Sequence, residues 1–515
     1  MGKTRGAVAA GHPQTAAAAM TIFEAGGNAF DAIAAAMLAS FVTEPTLTSA
    51  AGGGFLLAHG CDRAPVLYDF FTQTPREKKP VADLDFYPVD VNFGDAVQAF
   101  HVGLGAMATP GNLAGVWTVQ QELGRLPFGV VAEPAIAYAR DGVPLSDFQE
   151  FCINTVLAPI LLERAESRRI YAPTGRLVRY GEMLIHRDFA NTLEAIVREG
   201  IDLFYRGAIA DQLVADCHTH GGYLTHADLA QYQVIKRDPL QFHYRGQTLL
   251  TNPPPSSGGA LMAFTLQLLA TAELHRFPWG SEAHLRALIR AMQLTNQART
   301  DGYDDRIHDP NIAADFLGTE HFAPYQAALQ AGLNRWGSTT HISVMDEWGN
   351  AASSTTSSGE GSGYMIPGTG IMVNNMLGEA DLNPQGFHAW ACDRRMSSMM
   401  APTMILTDGQ PTQVFGSGGS NRIRTVLTQI VTNLVDFGDD LSTAITRPRL
   451  HWEGGTLNLE PGLGEGLELS DRYTDHQLRW QAQNMFFGGV HGVERRSSGE
   501  FAGAGDERRG GAFLQ

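Results

Sequence analysis

Small and apolar residues recur with a helical period over 14–24, and Gly26-Gly27 stops the run. A second helix is predicted over 29–41, ending near Glu44-Pro45. Gly52-Gly53-Gly54 then leads into Phe55-Leu56-Leu57, a short apolar run that predicts a buried strand after a tight backbone turn. Helical character is predicted to dominate residues 110–269, including 113–123, 133–140 and 190–199. Turns at Gly221-Gly222 and at Pro253-Pro254-Pro255-Ser256-Ser257-Gly258-Gly259 interrupt it. The texture changes near Ser338. Residues 340–345 and 351–357 are small, β-branched or alternating, and Asp346-Glu347-Trp348-Gly349-Asn350 separates them, which predicts a β-hairpin. Further strands are expected at 370–373, 402–406 and 412–415, followed by a helix over 422–436. A helical front and a strand-rich back that begins abruptly predict one continuous α/β core with no linker.

The length, 515 residues, exceeds what one small core needs. Hydrophobic residues at 44% and charged residues at 18% place the chain among ordinary globular proteins. A formal net charge of -17 argues against nucleic acid or an anionic membrane as partner. The cysteines Cys61, Cys152, Cys217 and Cys392 are far apart and form no C-x-x-C pair, so neither a zinc site nor a disulfide framework is expected. Met-Gly-Lys-Thr-Arg-Gly lacks the apolar core of a signal peptide, and no uninterrupted apolar run reaches spanning length. The expected location is therefore cytoplasmic, without membrane contact.

Candidate chemistry centres on Ser338-Thr339-Thr340-His341. A threonine hydroxyl is a poor nucleophile until a base takes its proton. A threonine at a chain terminus carries that base itself, because a free α-amine titrates near pH 8 beside the hydroxyl. An internal threonine reaches this state if its Oγ attacks the preceding carbonyl, here that of Ser338, and the resulting ester is hydrolysed. From these four residues alone, ordinary β-propensity is the better explanation of the pattern.

Ordered motifs decide between the two. Gly26-Gly27-Asn28-Ala29 with Asp31-Ala32, Glu44-Pro45, Gly52-Gly53-Gly54-Phe55, Pro110-Gly111 and Ala139-Arg140-Asp141-Gly142 occur in the front half, with the proline-rich run that ends at Gly259. Thr339-Thr340-His341, Gly349-Asn350-Ala351, Asn374-Asn375, Ser397-Ser398-Met399, Arg447-Pro448-Arg449 and Arg508-Arg509-Gly510-Gly511 follow. Across nearly its whole length the chain resembles the gamma-glutamyltranspeptidase family. The resemblance implies a four-layer αββα sandwich of the amino-terminal-nucleophile hydrolase class. It also implies a precursor that cleaves itself between Ser338 and Thr339 into a large subunit, 1–338, and a small subunit, 339–515. Further homo-oligomerisation stays open.

Carried over residue by residue, the resemblance makes Thr339 the nucleophile and Ser357 a second hydroxyl that hydrogen-bonds it, unless Ser357 is simply an exposed strand serine. The backbone N–H groups of Gly419 and Ser420 become the oxyanion donors, with a one-residue slip to Gly418 and Gly419 left open. Ser397 and Ser398 would contact the α-carboxylate of a γ-glutamyl group, and Asn375 would lie on the strand that feeds the acyl pocket. Departures are as informative. Phe71 stands where the family has a carboxylate-binding arginine. Gly359 replaces an asparagine, and Met376 and Glu379 replace the Gln and Asp that hold the α-amino group. Glu379 still offers a carboxylate to an ammonium. The stretch between Glu379 and Ser397 is short for the family, so the lid loop is expected to be missing and larger acyl donors admitted.

The expected substrate is a γ-glutamyl or related acyl amide, with water or an amine as acceptor and no cofactor or metal. Two alternatives remain: an acylase for a non-glutamyl acyl group, and a catalytically silent relative that serves as a scaffold. Other signals in the chain carry less weight. Cys217-His218-Thr219-His220 is read as a helix end and surface turn rather than a metal pair. Gly103-Leu104-Gly105 lacks a third glycine and a preceding strand, and no G-x-S-x-G elbow occurs. Asp301, Asp304, Asp305 and Asp309 are read as solvated charge rather than a calcium loop. Trp336 and Trp348 are expected to be packing residues, with cover over the processing site as the alternative for Trp336.

Overall fold

A computed structural model of the protein describes residues 2–92, 97–327, 339–469 and 474–515. Two antiparallel sheets form its centre. In the seven-stranded sheet the order is Ala512–Leu514, Gly6–Ala10, Thr340–Asp346, Ala351–Ser357, Gly53–His59, Val66–Phe70, Ile235–Arg237. The six-stranded sheet runs Phe501–Gly505, Gly489–Arg495, Gln410–Gly418, Thr403–Thr407, Gln247–Thr251, Leu240–Tyr244. Thr340–Asp346 and Ala351–Ser357 pack across the sheet interface on Gln410–Gly418. Helices Pro13–Glu24, Ala29–Thr43 and Asn112–Leu123 cover the outer face of the first sheet, and Gly258–Thr271 and Arg422–Val435 cover the second. The layers are therefore helix, sheet, sheet, helix, as the resemblance implied.

Strand periodicity sorts side chains into the two cores. In Gly6–Ala10, Ala7 and Ala9 join the inter-sheet core, while Val8 and Ala10 join the core under the helices. Phe55 and Leu57 alternate with Leu56 and Ala58 in the same way. The helix over Ala29–Thr43 is buried along its whole length and starts in a capping box, Asn28 with Asp31. Its small residues let it sit close to the sheet, and its C-terminal end delivers Glu44 to the edge of the strand that carries Thr339. Asp346 closes the hairpin, its Oδ1 accepting from the N–H groups of Trp348 and Asn350 at 3.0 Å each, with Gly349 at positive φ.

Several expectations need correction. Residues 110–269 are not uniformly helical, because Ile235–Arg237, Leu240–Tyr244 and Gln247–Thr251 supply strands to the two sheets, the first two as edges. The front is more than a helical layer, since Gly6–Ala10 and Val66–Phe70 are also strands of the first sheet. A strand, Val97–Val102, does precede Gly103, but only the 3-10 turn Leu104–Ala106 follows. Trp348 is 42% exposed at the hairpin tip under the Arg125 guanidinium, not packed in a core. Ser338 and Trp336 lie outside the described residues. Asp304 and Asp309 are engaged with Arg299 and Arg306, and Asp301 accepts from the Tyr325 hydroxyl at 2.7 Å. Among the described residues, no helix is long and apolar enough to cross a membrane, and no group of three or more His, Cys, Asp or Glu is placed to hold a metal ion.

Candidate active site

The hairpin register decides where Thr339 faces. Ile342 and Val344 point to the helix side, whereas His341 and Ser343 point between the sheets. Thr340 shares the first parity and Thr339 the second. Thr340 accordingly donates its hydroxyl to buried Glu44, at 2.5 Å. Burial pushes the Glu44 carboxyl up to about 7, although hydrogen bonds from Thr340 and Thr15 favour its ionised form. Thr339 turns the other way, into a cleft of about 510 Å³ between the sheet ends.

That cleft gathers most of the predicted residues. Thr339, Ser357, Phe71, Met376, Glu379, Ser397, Ser398 and Ser420 all line it. Thr340 pairs with Thr356, so the register extended by one residue sets Ser357 across from Thr339. Ser357 is 3% exposed, which removes the exposed-strand reading, and its hydroxyl accepts from the Gly359 N–H at 2.9 Å. Asn375 is one step removed from the cleft. Its Oδ1 accepts from the Glu360 N–H at 2.9 Å and its Nδ2 donates to the His101 carbonyl at 3.2 Å, so it braces the loop behind the wall.

The second sheet reaches Thr339 through a close backbone approach. Gln410–Gly418 ends against Thr339, where a Cβ at Gly418 would stand 2.1 Å from the Thr339 carbonyl oxygen. The chain then turns through Gly419 (φ 122°) and Ser420 (φ 49°) into the helix Arg422–Val435. Among the described residues, the N–H groups of Gly419 and Ser420 meet no acceptor, and the Ser420 hydroxyl donates to Asp381. Two successive unengaged donors at a helix start beside Thr339 are arranged as anion-binding turns are. Beside Gly418, fully buried Arg509 donates to the Thr339 carbonyl at 3.0 Å. Asp506 starts the same turn and pairs with Arg449 at 2.5 Å and Arg508 at 3.1 Å. These guanidinium neighbours hold its carboxyl at about 2.

The acyl wall is rewritten in a coordinated way. Phe71 is buried and stacks on Phe55 at 5.4 Å between ring centroids, so it presents an apolar surface. A Cβ at Gly359 (φ 64°) would collide with the Glu379 and Asn375 side chains. Gly359 thus leaves the room that Glu379 occupies, which couples two of the departures seen in the sequence. Glu379 is buried, and desolvation together with the Glu360 and Asp381 carboxylates raises its pKa well above the usual carboxylate range. Ser398 is fixed by its backbone: its carbonyl accepts from the Ser257 N–H at 2.7 Å and from the Ser256 hydroxyl at 3.0 Å. Sequence reasoning did not identify Arg299, Asp381 and Asn421 as cleft residues. Arg299 and Asp381 belong to separate parts of the chain, and nothing local marks either as functional; Asn421 next to the predicted donor turn was the one visible signal.

Comparisons with known proteins give the family. The family model for gamma-glutamyltranspeptidase matches residues 15–515. The chain is 29% identical to the glutathione hydrolase proenzyme of Escherichia coli strain K12, over 95% of this chain and 87% of that protein. It is 30% identical to the acylase ACY 1 proenzyme of Pseudomonas sp. strain SE83, over 97% and 92% of the two chains. Its fold superimposes on the crystal structure of cephalosporin acylase from Bacillus halodurans with a TM-score of 0.85 at 25% identity, covering 99% of this chain and 96% of that one. On the family match over almost its entire length, the chain belongs to the gamma-glutamyltranspeptidase family.

Proposed function

We propose that Thr339 cleaves its own precursor and then hydrolyses or transfers the acyl group of a γ-glutamyl or related acyl amide. In processing, Thr339 Oγ adds to the Ser338 carbonyl carbon, the C–N bond to Thr339 breaks, and water hydrolyses the ester. This frees the α-amine and leaves subunits 1–338 and 339–515 as a heterodimer. In turnover that amine takes the Oγ proton as Oγ attacks the substrate carbonyl. The Gly419 and Ser420 N–H groups receive the negative charge that develops on oxygen. The amine returns its proton to the leaving nitrogen, and water or an amine resolves the ester. The observation that carries this reading is Thr339 facing the cleft beside two unengaged donors of the strand-to-helix turn.

A second reading concerns the acyl group. Phe71 and Met376 put apolar surface where a glutamyl headgroup would need polar partners, which favours an acylase for a different acyl chain. The short stretch after Glu379 supports the same reading by leaving room for larger donors. Mass spectrometry of the purified protein tests the nucleophile: a fragment beginning at Thr339 is expected, and Thr339→Ala should stay full length and inactive. A wild-type chain that remains whole yet turns over substrate would overturn the mechanism, and a whole, inactive chain would favour the scaffold alternative. Rates on γ-glutamyl- and glutaryl-p-nitroanilide separate the two acyl readings.

A further inference from the structure

Phe71 removes a guanidinium from the acyl wall, yet the cleft retains a cation from a different element. Arg299, directly after the helix Glu282–Ala298, lines the cleft together with Thr339, Ser397, Ser398 and Ser420. Its orientation is fixed. Nε donates to both oxygens of Asp304, at 3.0 and 2.8 Å, and Nη1 donates to Asn421 Oδ1 at 3.3 Å. Asn421 immediately follows Ser420, so the guanidinium lies one residue from the donor turn. The Arg299 side chain is only 17% exposed, which weakens solvent screening around it. A guanidinium carries five N–H donors in a rigid fork, and the Nη2 pair meets no acceptor among the described residues. Asp304 offsets much of the formal charge. What the site offers an anion is therefore a held pair of directed N–H groups, a geometry that suits a planar carboxylate.

We propose that Arg299 forms a carboxylate-binding subsite of this cleft, its Nη edge pairing with a carboxylate of the acyl amide. The carboxylate belongs to the acyl part or to the leaving amine. The proposal rests on the amide-hydrolase reading above and narrows its substrate class to acyl amides that carry at least one carboxylate. It also accounts for a pocket that keeps the buried carboxylic Glu379 while losing the arginine at position 71. The means of binding an anion has moved to another wall.

The test uses the full-length protein as isolated, with Arg299→Gln and Arg299→Lys. Three chromogenic donors separate the sources: γ-glutamyl-p-nitroanilide, γ-glutamyl-3-carboxy-4-nitroanilide and uncharged butyryl-p-nitroanilide. Arg299→Gln should lower kcat/KM, through a raised KM, at least tenfold more for the donors whose carboxylate is read than for the butyryl donor. Arg299→Lys should recover part of the loss. An effect confined to the carboxy-nitroanilide assigns the subsite to the leaving amine. Calorimetric titration with glutarate adds a readout that needs no turnover, so an inactive protein, which would defeat the hydrolase reading, still tests this one. At least tenfold weaker glutarate binding by Arg299→Gln supports the proposal. Equal losses on all three donors, no loss on any, or equal glutarate binding by wild type and variant overturn it. If Arg299→Gln does not fold, the same comparison is made with Arg299→Lys.

Discussion

Gly418→Ala isolates the spacing between nucleophile and donor turn. Gly418 is not among the residues at positive φ, so alanine brings no backbone strain there, only volume. The added Cβ would stand 2.1 Å from the Thr339 carbonyl oxygen and 2.8 Å from its carbonyl carbon. Ordinary contact begins near 3.4 Å, so strand and nucleophile must separate by about 1 Å. No rotamer absorbs this, because both partners are backbone, and Arg509, whose Nη1 would lie 3.2 Å from the same Cβ, holds the carbonyl at 3.0 Å. Overpacking of this kind costs about 1–3 kcal/mol of stability. A misplacement of about 1 Å at a reacting group lowers turnover roughly 100-fold. Steady-state rates on a chromogenic acyl anilide, read beside fragment masses and thermal melts, measure both effects. Gly438→Ala is the control: it strains a positive φ of 70° but meets no atom within 4 Å, so activity should persist. If Gly418→Ala processes normally and keeps kcat/KM within threefold of wild type, the close approach does not set the catalytic spacing.

Two further perturbations probe the charges around Thr339. Under the proposed mechanism Thr339 becomes amino-terminal, and the buried Arg509 guanidinium that donates to its carbonyl would then disfavour its α-ammonium. Arg509→Gln should move the acid limb of the kcat/KM profile to higher pH by about one unit, with Arg509→Lys restoring it; an unmoved limb refutes the coupling. Glu44 is held near 7 against 4.5 for an ordinary glutamate, so its neutral form is the one that the fold favours. That contribution is complete below about pH 4.5 and is lost as pH rises through about 7, a change of about 3 kcal/mol. Glu44→Gln cannot ionise, so across that window its urea-unfolding free energy should fall by about 3 kcal/mol less than that of the wild type. Parallel curves would refute the assignment.

The sequence alone determined a good deal. Helices 13–24, 29–43 and 422–435 were legible because period, caps and glycine stops act locally. The hairpin around Asp346-Glu347-Trp348-Gly349-Asn350 was legible because its turn chemistry is local too, and the ordered motifs pointed to Thr339, Ser357 and the Gly419–Ser420 turn. Gly6–Ala10 was invisible as a strand. A strand buried on both faces loses the apolar–polar alternation that would reveal it, and five small residues read as nothing in particular. Tertiary structure decided the rest, because chemistry here depends on which face of a strand meets which loop. Parity sent Thr340 to Glu44 and Thr339 into the cleft. Only the folded chain shows that Gly359 makes room for Glu379. Only folding brings Arg299, 40 residues before Thr339 in the chain, to the same cleft wall as Asn421. Pairing between distant segments is fixed by packing of whole layers, and no local window of sequence contains it.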